Sequence, residues 1–170
     1  AIKQALGRYV LLLNPDMKVN KDTLSGMVKW MDDHKNVGVG SCYLHYEDGG
    51  IVPHVRRFPG LLDQAAIILK LPHLFPSILN KYLMKDFDYT KEAVVDSVRG
   101  SFFMIRKEVI DKMGGLDERY FIWFEEVDYC KRAKDAGWKI WYNANAEIIH
   151  YGGQSFSQQL TFKKQLIFIL

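Results

Sequence analysis

Cysteine is scarce in this chain. Only Cys42 and Cys130 occur in 170 residues, with neither CxxC spacing nor the density of a disulfide scaffold, so free thiols in a reducing cytosol are expected. Long apolar runs are also missing: none approaches the ~18 residues that a transmembrane helix needs. Charge of one sign is not concentrated either. Twenty-three Lys and Arg against 20 Asp and Glu leave a formal charge of +3, scattered along the text. That argues against a dedicated nucleic-acid binder and leaves an anionic substrate or membrane compatible. The opening "AIKQALGRYVLLL" has no charged start, apolar stretch and small-residue cleavage site of a signal peptide. The first residue is not Met and the closing "LIFIL" stops in mid-pattern, so both ends read as cut. No internal repeat or low-complexity segment is visible.

What is present is ordinary globular material, 48% hydrophobic and 25% charged, long enough for one domain with a substantial core. "AIKQALG" reads as a helix end stopped by Gly7. "RYVLLLN" is an almost wholly apolar run, as expected of a strand buried on both faces, and Pro15 prevents it from continuing. "NKDTLSGMVKWMDDH" places Leu24, Met27, Val28 and Met31 at helical spacing. "NVGVGSCYLHY" predicts a strand and "EDGG" a turn. "SFFMIR" predicts a strand, "KEVIDKMGG" a short helix, and "VDYCKRAKDAGW" a helix with Val127, Cys130 and Ala133 on one side. "WKIWYN" and "AEIIHYGG" read as two further strands. Alternation of this kind predicts an α/β class, a mixed or parallel sheet with helices on its faces. Residues 56 to about 90 differ: prolines cut them into short apolar pieces with basic margins. An irregular insertion with its own small core and an acceptor-binding or membrane-facing patch both fit.

Several positions carry candidate chemistry. Asp16 follows a strand end, where open α/β sheets bind ligands, and with Asn14 it suits a hard divalent cation and phosphates; Asn-Pro-Asp is equally a plain turn. His150 ends "AEIIH", where an imidazole reaches a metal, a phosphate or a structural partner. Glu125, Glu126 and Asp128 open a helix, which the helix dipole alone explains. The aromatic wall before them, Tyr120, Phe121, Trp123 and Phe124, is a second matter: adjacent carboxylates near apolar rings hold a proton more readily, the usual route to a general base. Gly100-Ser101 allows close approach to a ligand or a tight turn, and Asp96 serves a sugar hydroxyl or a local cap.

Taken together, "GRYVLLLNPD", "VVDSVRGSFFMIRKEVIDKMGGLDERYFIWFEEVDYCKRAKDAGWKIWYNANAEIIHYGGQS" and the order of these blocks resemble the family-2 inverting glycosyltransferases, in particular their rhamnosyltransferase-like branch. The resemblance covers most of the chain outside residues 56–90. It implies the C-terminal part of a GT-A, Rossmann-like mixed sheet, without the family's N-terminal nucleotide-binding part. It implies a nucleotide-sugar donor, dTDP-rhamnose foremost, a glycan or lipid-linked acceptor of a cell-surface polysaccharide, and a divalent metal, Mn²⁺ or Mg²⁺. On the matching positions, Asp16 and His150 hold the metal, Glu126 beside Glu125 is the catalytic base, Asn14, Asp96, Gly100 and Ser101 line the donor, and Trp123 and Asp128 the acceptor. The branch commonly has Glu-Asp where this chain has Glu125-Glu126. A cytoplasmic location with peripheral contact at the inner face of the cell membrane follows, and an uncovered sheet edge predicts self-association. A metal-dependent phosphohydrolase and a non-catalytic glycan- or partner-binding module are the rival readings.

Overall fold

In the computed structural model, which describes residues 2–120 and 124–151, eight strands and four helices alternate. They are β1 (Tyr9–Leu13), β2 (Met17–Val19), α1 (Thr23–Asp33), β3 (Val37–His45), β4 (Val55–Arg56), α2 (Leu61–Ile68), β5 (Ala93–Val95), β6 (Ser97–Val98), β7 (Phe102–Arg106), α3 (Lys107–Met113), α4 (Glu125–Asp135) and β8 (Lys139–His150). The main sheet runs β1-β7-β3-β8-β2, with β5 also paired to β8. Only the β3–β8 pair among these is parallel. The mixed sheet flanked by helices is thus the expected class.

Alternation along β7 explains the layering. Phe103 and Ile105 face a core shared with Tyr129, Cys130 and Ala133 of α4 and Val109 of α3. Phe102 and Met104 point the other way, onto Met27, Trp30 and Met31 of α1. Successive strand side chains project to opposite faces, and complete burial of each such side chain contributes about 1.5–3 kcal/mol. Both cysteines lie in these cores and are free; burial pushes the Cys130 thiol up to about 12.

Close packing dictates two glycines of β3. A Cβ on Gly38 would lie 2.7 Å from Cβ of Trp138, and one on Gly40 would lie 2.9 Å from Sδ of Met31. Gly38→Ala is expected to destabilise the domain by about 1–3 kcal/mol through overpacking. A denaturation midpoint lowered at unchanged slope checks it.

Several expectations change. The opening helix is a single 3₁₀ turn, Ile2–Gln4. β1 is not buried on both faces: it forms one edge of the sheet, half-buried, with Leu13 exposed. Leu24 also faces solvent, and Trp30 takes its place in the core. "WKIWYN" and "AEIIH" are one strand, β8, interrupted where Cys42 pairs with Asn143 but Tyr43 with Glu147. There Asn143 Oδ1 accepts the Asn145 amide at 2.8 Å, a local bond that loops out the extra residues.

Residues 56–90 are rooted in the main core. The side chains of Phe58, Met84 and Phe87 pack against it with buried Tyr89, whose hydroxyl accepts the backbone N–H groups of His54 at 2.9 Å and Val55 at 3.1 Å. The β4–β6 ribbon, with Arg56 opposite Ser97, clasps the two ends of this segment.

Candidate active site

The Asn14-Pro15-Asp16 turn connects β1 to β2, and two long-range contacts hold it. Asn14 N donates to Ser101 O at 3.0 Å, and Tyr151 N donates to Asp16 O at 2.9 Å. Because β2 pairs antiparallel with β8, Met17 lies opposite His150. Asp16 Oδ2 and His150 Nε2 come within 3.5 Å, and both side chains are nearly buried, at 10% and 12% exposure. Tyr46 stacks over the imidazole with ring centroids 6.2 Å apart.

Asp16 Oδ1 and His150 Nδ1 are buried without a hydrogen-bond partner. Buried polar atoms are normally paired, so the pair retains coordinating capacity. One carboxylate oxygen and one imidazole nitrogen form a donor set that suits Mn²⁺ or Mg²⁺ carrying phosphate and water. Among the described residues no group of three or more His, Cys, Asp and Glu could hold a metal ion, so the protein's share would be these two side chains. The residues fit the cation that the resemblance implies.

The second part of the site is built at the start of α4. Phe124, immediately before it, has φ 65° and ψ −12°. A bulky residue in the left-handed region is strained, and such strain clusters at functional sites. Glu125, Glu126 and Asp128 occupy the first helical turn. Glu126 is half-buried, and desolvation raises its pKa above the ordinary value; the neighbouring Glu125 charge adds to the rise and Arg99 opposes it. Glu126 lines a cleft of about 320 Å³ with Arg56, Tyr82, Ser97, Arg99 and Phe124.

Arg56 and Arg99 were not singled out in the sequence. Pairing of β4 with β6 sets Arg56 opposite Ser97, and Arg99 N donates to His54 O at 2.9 Å. The Arg56 guanidinium donates to the carbonyls of Val55 at 2.7 Å and Pro53 at 3.0 Å rather than to a carboxylate. Burial, and then the Arg99 charge, lowers its pKa. Two cations held together against their repulsion make a place for an anion. The only sequence signal was their position, Arg99 directly before Gly100-Ser101 and Arg56 at the margin of the apolar segment.

The other expected residues are placed as follows. Ser101 is buried and Asn14 exposed. A Cβ on Gly100 would meet nothing within 4 Å, so this glycine faces open space. Asp96 pairs with Lys134 and accepts the Phe58 amide at 3.4 Å. Asp128 accepts Arg132 Nε at 2.7 Å and lines a neighbouring hollow of about 470 Å³ with Phe58, Gln64, Tyr120 and Phe124. Trp123 and Phe121 lie outside the described residues. The stretch Arg99-Gly100-Ser101 bridges the two parts, with Arg99 in the Glu126 cleft and Ser101 bonded to the Asn14-Pro15-Asp16 turn.

Arg99 provides a test of this geometry. Its charge favours the Glu126 carboxylate, so Arg99→Met is expected to raise the Glu126 pKa further. The deprotonated fraction at a given acidic pH then falls, and the acid limb of any Glu126-dependent rate moves to higher pH. Carboxyl chemical shifts of Glu126 followed through a pH titration check the direction.

Comparison with known proteins places the chain in a family. The chain is 24% identical over 147 residues to N-acetylglucosaminyl-diphospho-decaprenol L-rhamnosyltransferase of Mycobacterium tuberculosis, covering 86% of this chain and 48% of that protein. It is 29% identical over 144 residues to rhamnosyltransferase WbbL of Escherichia coli, covering 84% and 52%. It is 26% identical over 162 residues to the O-antigen biosynthesis protein RfbC of Myxococcus xanthus, covering 91% and 12%. The chain spans about half the length of the two rhamnosyltransferases. The family model described as glycosyltransferase like family 2 matches residues 2–165, nearly the whole sequence, and the chain therefore belongs to glycosyltransferase family 2.

Proposed function

We propose that this chain carries the catalytic edge of a rhamnosyltransferase, which moves the sugar from a nucleoside-diphosphate donor to a hydroxyl of a lipid-linked glycan by an inverting displacement. The observation that carries the reading is the cleft in which a desolvated Glu126 lies with Arg56 and Arg99. The names of the two rhamnosyltransferase relatives support the sugar, and the diphospho-decaprenol in one of them supports the acceptor class.

Glu126 is the base in this mechanism. Its carboxylate takes the acceptor hydroxyl proton as that oxygen attacks the anomeric carbon from the face opposite the leaving diphosphate. The bond from the anomeric carbon to the phosphate oxygen breaks with its electron pair going to the diphosphate. Burial raises the proton affinity of Glu126, which suits a base working near neutral pH. Arg56 and Arg99 are fixed cations that offset charge on the departing group at no further reorganisation. Asp16 and His150 would hold Mn²⁺ or Mg²⁺, which when bound neutralises the diphosphate. Asn14, Gly100 and Ser101 lie beside that turn as the donor-lining stretch, and Phe124 restricts water at the base. Asp96, engaged by Lys134, supports the pocket from its margin.

Calorimetric titration of the full-length protein with dTDP-rhamnose, UDP-galactose and UDP-glucose, with and without Mn²⁺, tests the reading. Metal-dependent binding of dTDP-rhamnose is expected. Binding of no donor by the folded protein would overturn it, and donor turnover to free sugar in the presence of an acceptor would favour a hydrolase.

A further inference from the structure

The helix α2 is amphipathic in the wrong sense for a domain that ends at its own surface. Its stripe Leu61, Leu62, Ala65, Ile68 and Leu69 recurs at helical spacing, yet every member is exposed. Leu61 and Leu62 are 86% exposed, Ile68 77%, and in the turn that follows Leu74 is 74% and Phe75 60% exposed. Ala66, on the opposite side, is the one buried residue of the helix. A contiguous apolar face of this kind marks an interaction surface.

Charge indicates what covers it. Residues 57–85 contain Arg57, Lys70, Lys81 and Lys85 against the single acid Asp63, and all four cations are exposed. Asp63 is occupied within the helix start, where its Oδ2 accepts the Gly60 amide at 2.8 Å. Lys70 adopts the left-handed conformation, φ 54°, that ends α2 directly beside Leu69. Apolar side chains with Lys70 beside them, in a segment where exposed cations outnumber acids, match the headgroup boundary of an anionic bilayer. A second copy of the chain is disfavoured as occupant, because stacking the face on itself would bring like charges together.

We propose that α2 and the turn after it form a docking surface for anionic phospholipid membranes, with Leu61, Leu62, Ile68, Leu69, Leu74 and Phe75 entering the headgroup–acyl boundary. The other side of the same helix serves the site: Ile67 lines the Glu126 cleft and Gln64 the adjoining hollow with Asp128. Docking therefore sets the mouth of the cleft at the bilayer surface, where a lipid-anchored hydroxyl is found; this last clause alone rests on the proposed acceptor.

Sedimentation of the full-length protein with vesicles tests the proposal without any sugar transfer, so its failure and that of the donor titration are separable. Binding to phosphatidylcholine–phosphatidylglycerol vesicles is expected, with weaker binding to phosphatidylcholine alone. The combined Leu61→Ser, Leu62→Ser and Ile68→Ser protein should lose more than about 10-fold in partitioning, since each buried methylene contributes appreciably. These side chains are solvent-facing, so its thermal midpoint should hold. Leu62→Trp, read by fluorescence, should shift to the blue on anionic vesicles. Absence of vesicle binding, binding that the triple variant retains, or concentration-dependent self-association that the triple variant abolishes in place of vesicle binding would each overturn the proposal.

Discussion

Glu126→Gln is expected to lower the turnover of sugar transfer by about 10²–10⁴-fold, the range over which a positioned base contributes, while donor affinity changes little. The amide keeps the volume and polarity of the side chain but cannot take the acceptor proton. Stability separates this from a folding defect. The Glu126 pKa is raised in the fold, chiefly by burial, so the folded state binds its proton more tightly than the unfolded chain does. The charged carboxylate thus weakens folding at pH above its folded pKa, and that effect vanishes below the unfolded value. The glutamine variant should be as stable as the parent in acid and more stable at neutral pH. Turnover that survives in a variant with this stability profile would remove Glu126 from the chemistry. Glu125→Gln supplies the contrast: it removes a neighbouring charge that raises the Glu126 pKa, so the acid limb should move to lower pH while the base is kept.

Asp16→Ala should abolish the metal dependence of donor binding. Loss of a group that merely orients a ligand costs about 10–100-fold in metal affinity, so loss of the ligand itself should lie at or beyond the upper end of that range. Electron paramagnetic resonance of bound Mn²⁺ gives a readout free of turnover. His150→Ala should weaken the same signal, because the two side chains meet at 3.5 Å. The fold should survive both changes, since the backbone bonds from Asn14 to Ser101 and from Tyr151 to Asp16 do not involve the altered side chains. Mn²⁺ binding that persists unchanged in Asp16→Ala would move the cation elsewhere in the protein.

Much of this site was legible as residue types. Asn-Pro-Asp after an apolar strand, acids at a helix start behind aromatic residues and a histidine at a strand end each announce local chemistry, because strand termination, capping and dipoles act within a few residues. That Asp16 and His150 meet was beyond such local rules: it follows from β2 pairing with β8. Arg56 and Arg99 escaped notice because nothing in a lone arginine says what it faces; the β4–β6 ribbon across the apolar segment brings them to Glu126.

The sequence by itself determined the alternation of strands and helices and the glycine and proline stops, since these depend on backbone propensity and periodicity; the candidate base and ligand positions came from resemblance to the family. Only the tertiary structure decided which apolar stripes are inside. By pattern alone β1 read as a strand buried on both faces, and residues 56–90 fitted either a small core of their own or an outward patch; in the fold β1 lies half-buried at a sheet edge and α2 turns its leucines outward. Periodicity records that a face is apolar; what covers that face depends on neighbours distant in the chain.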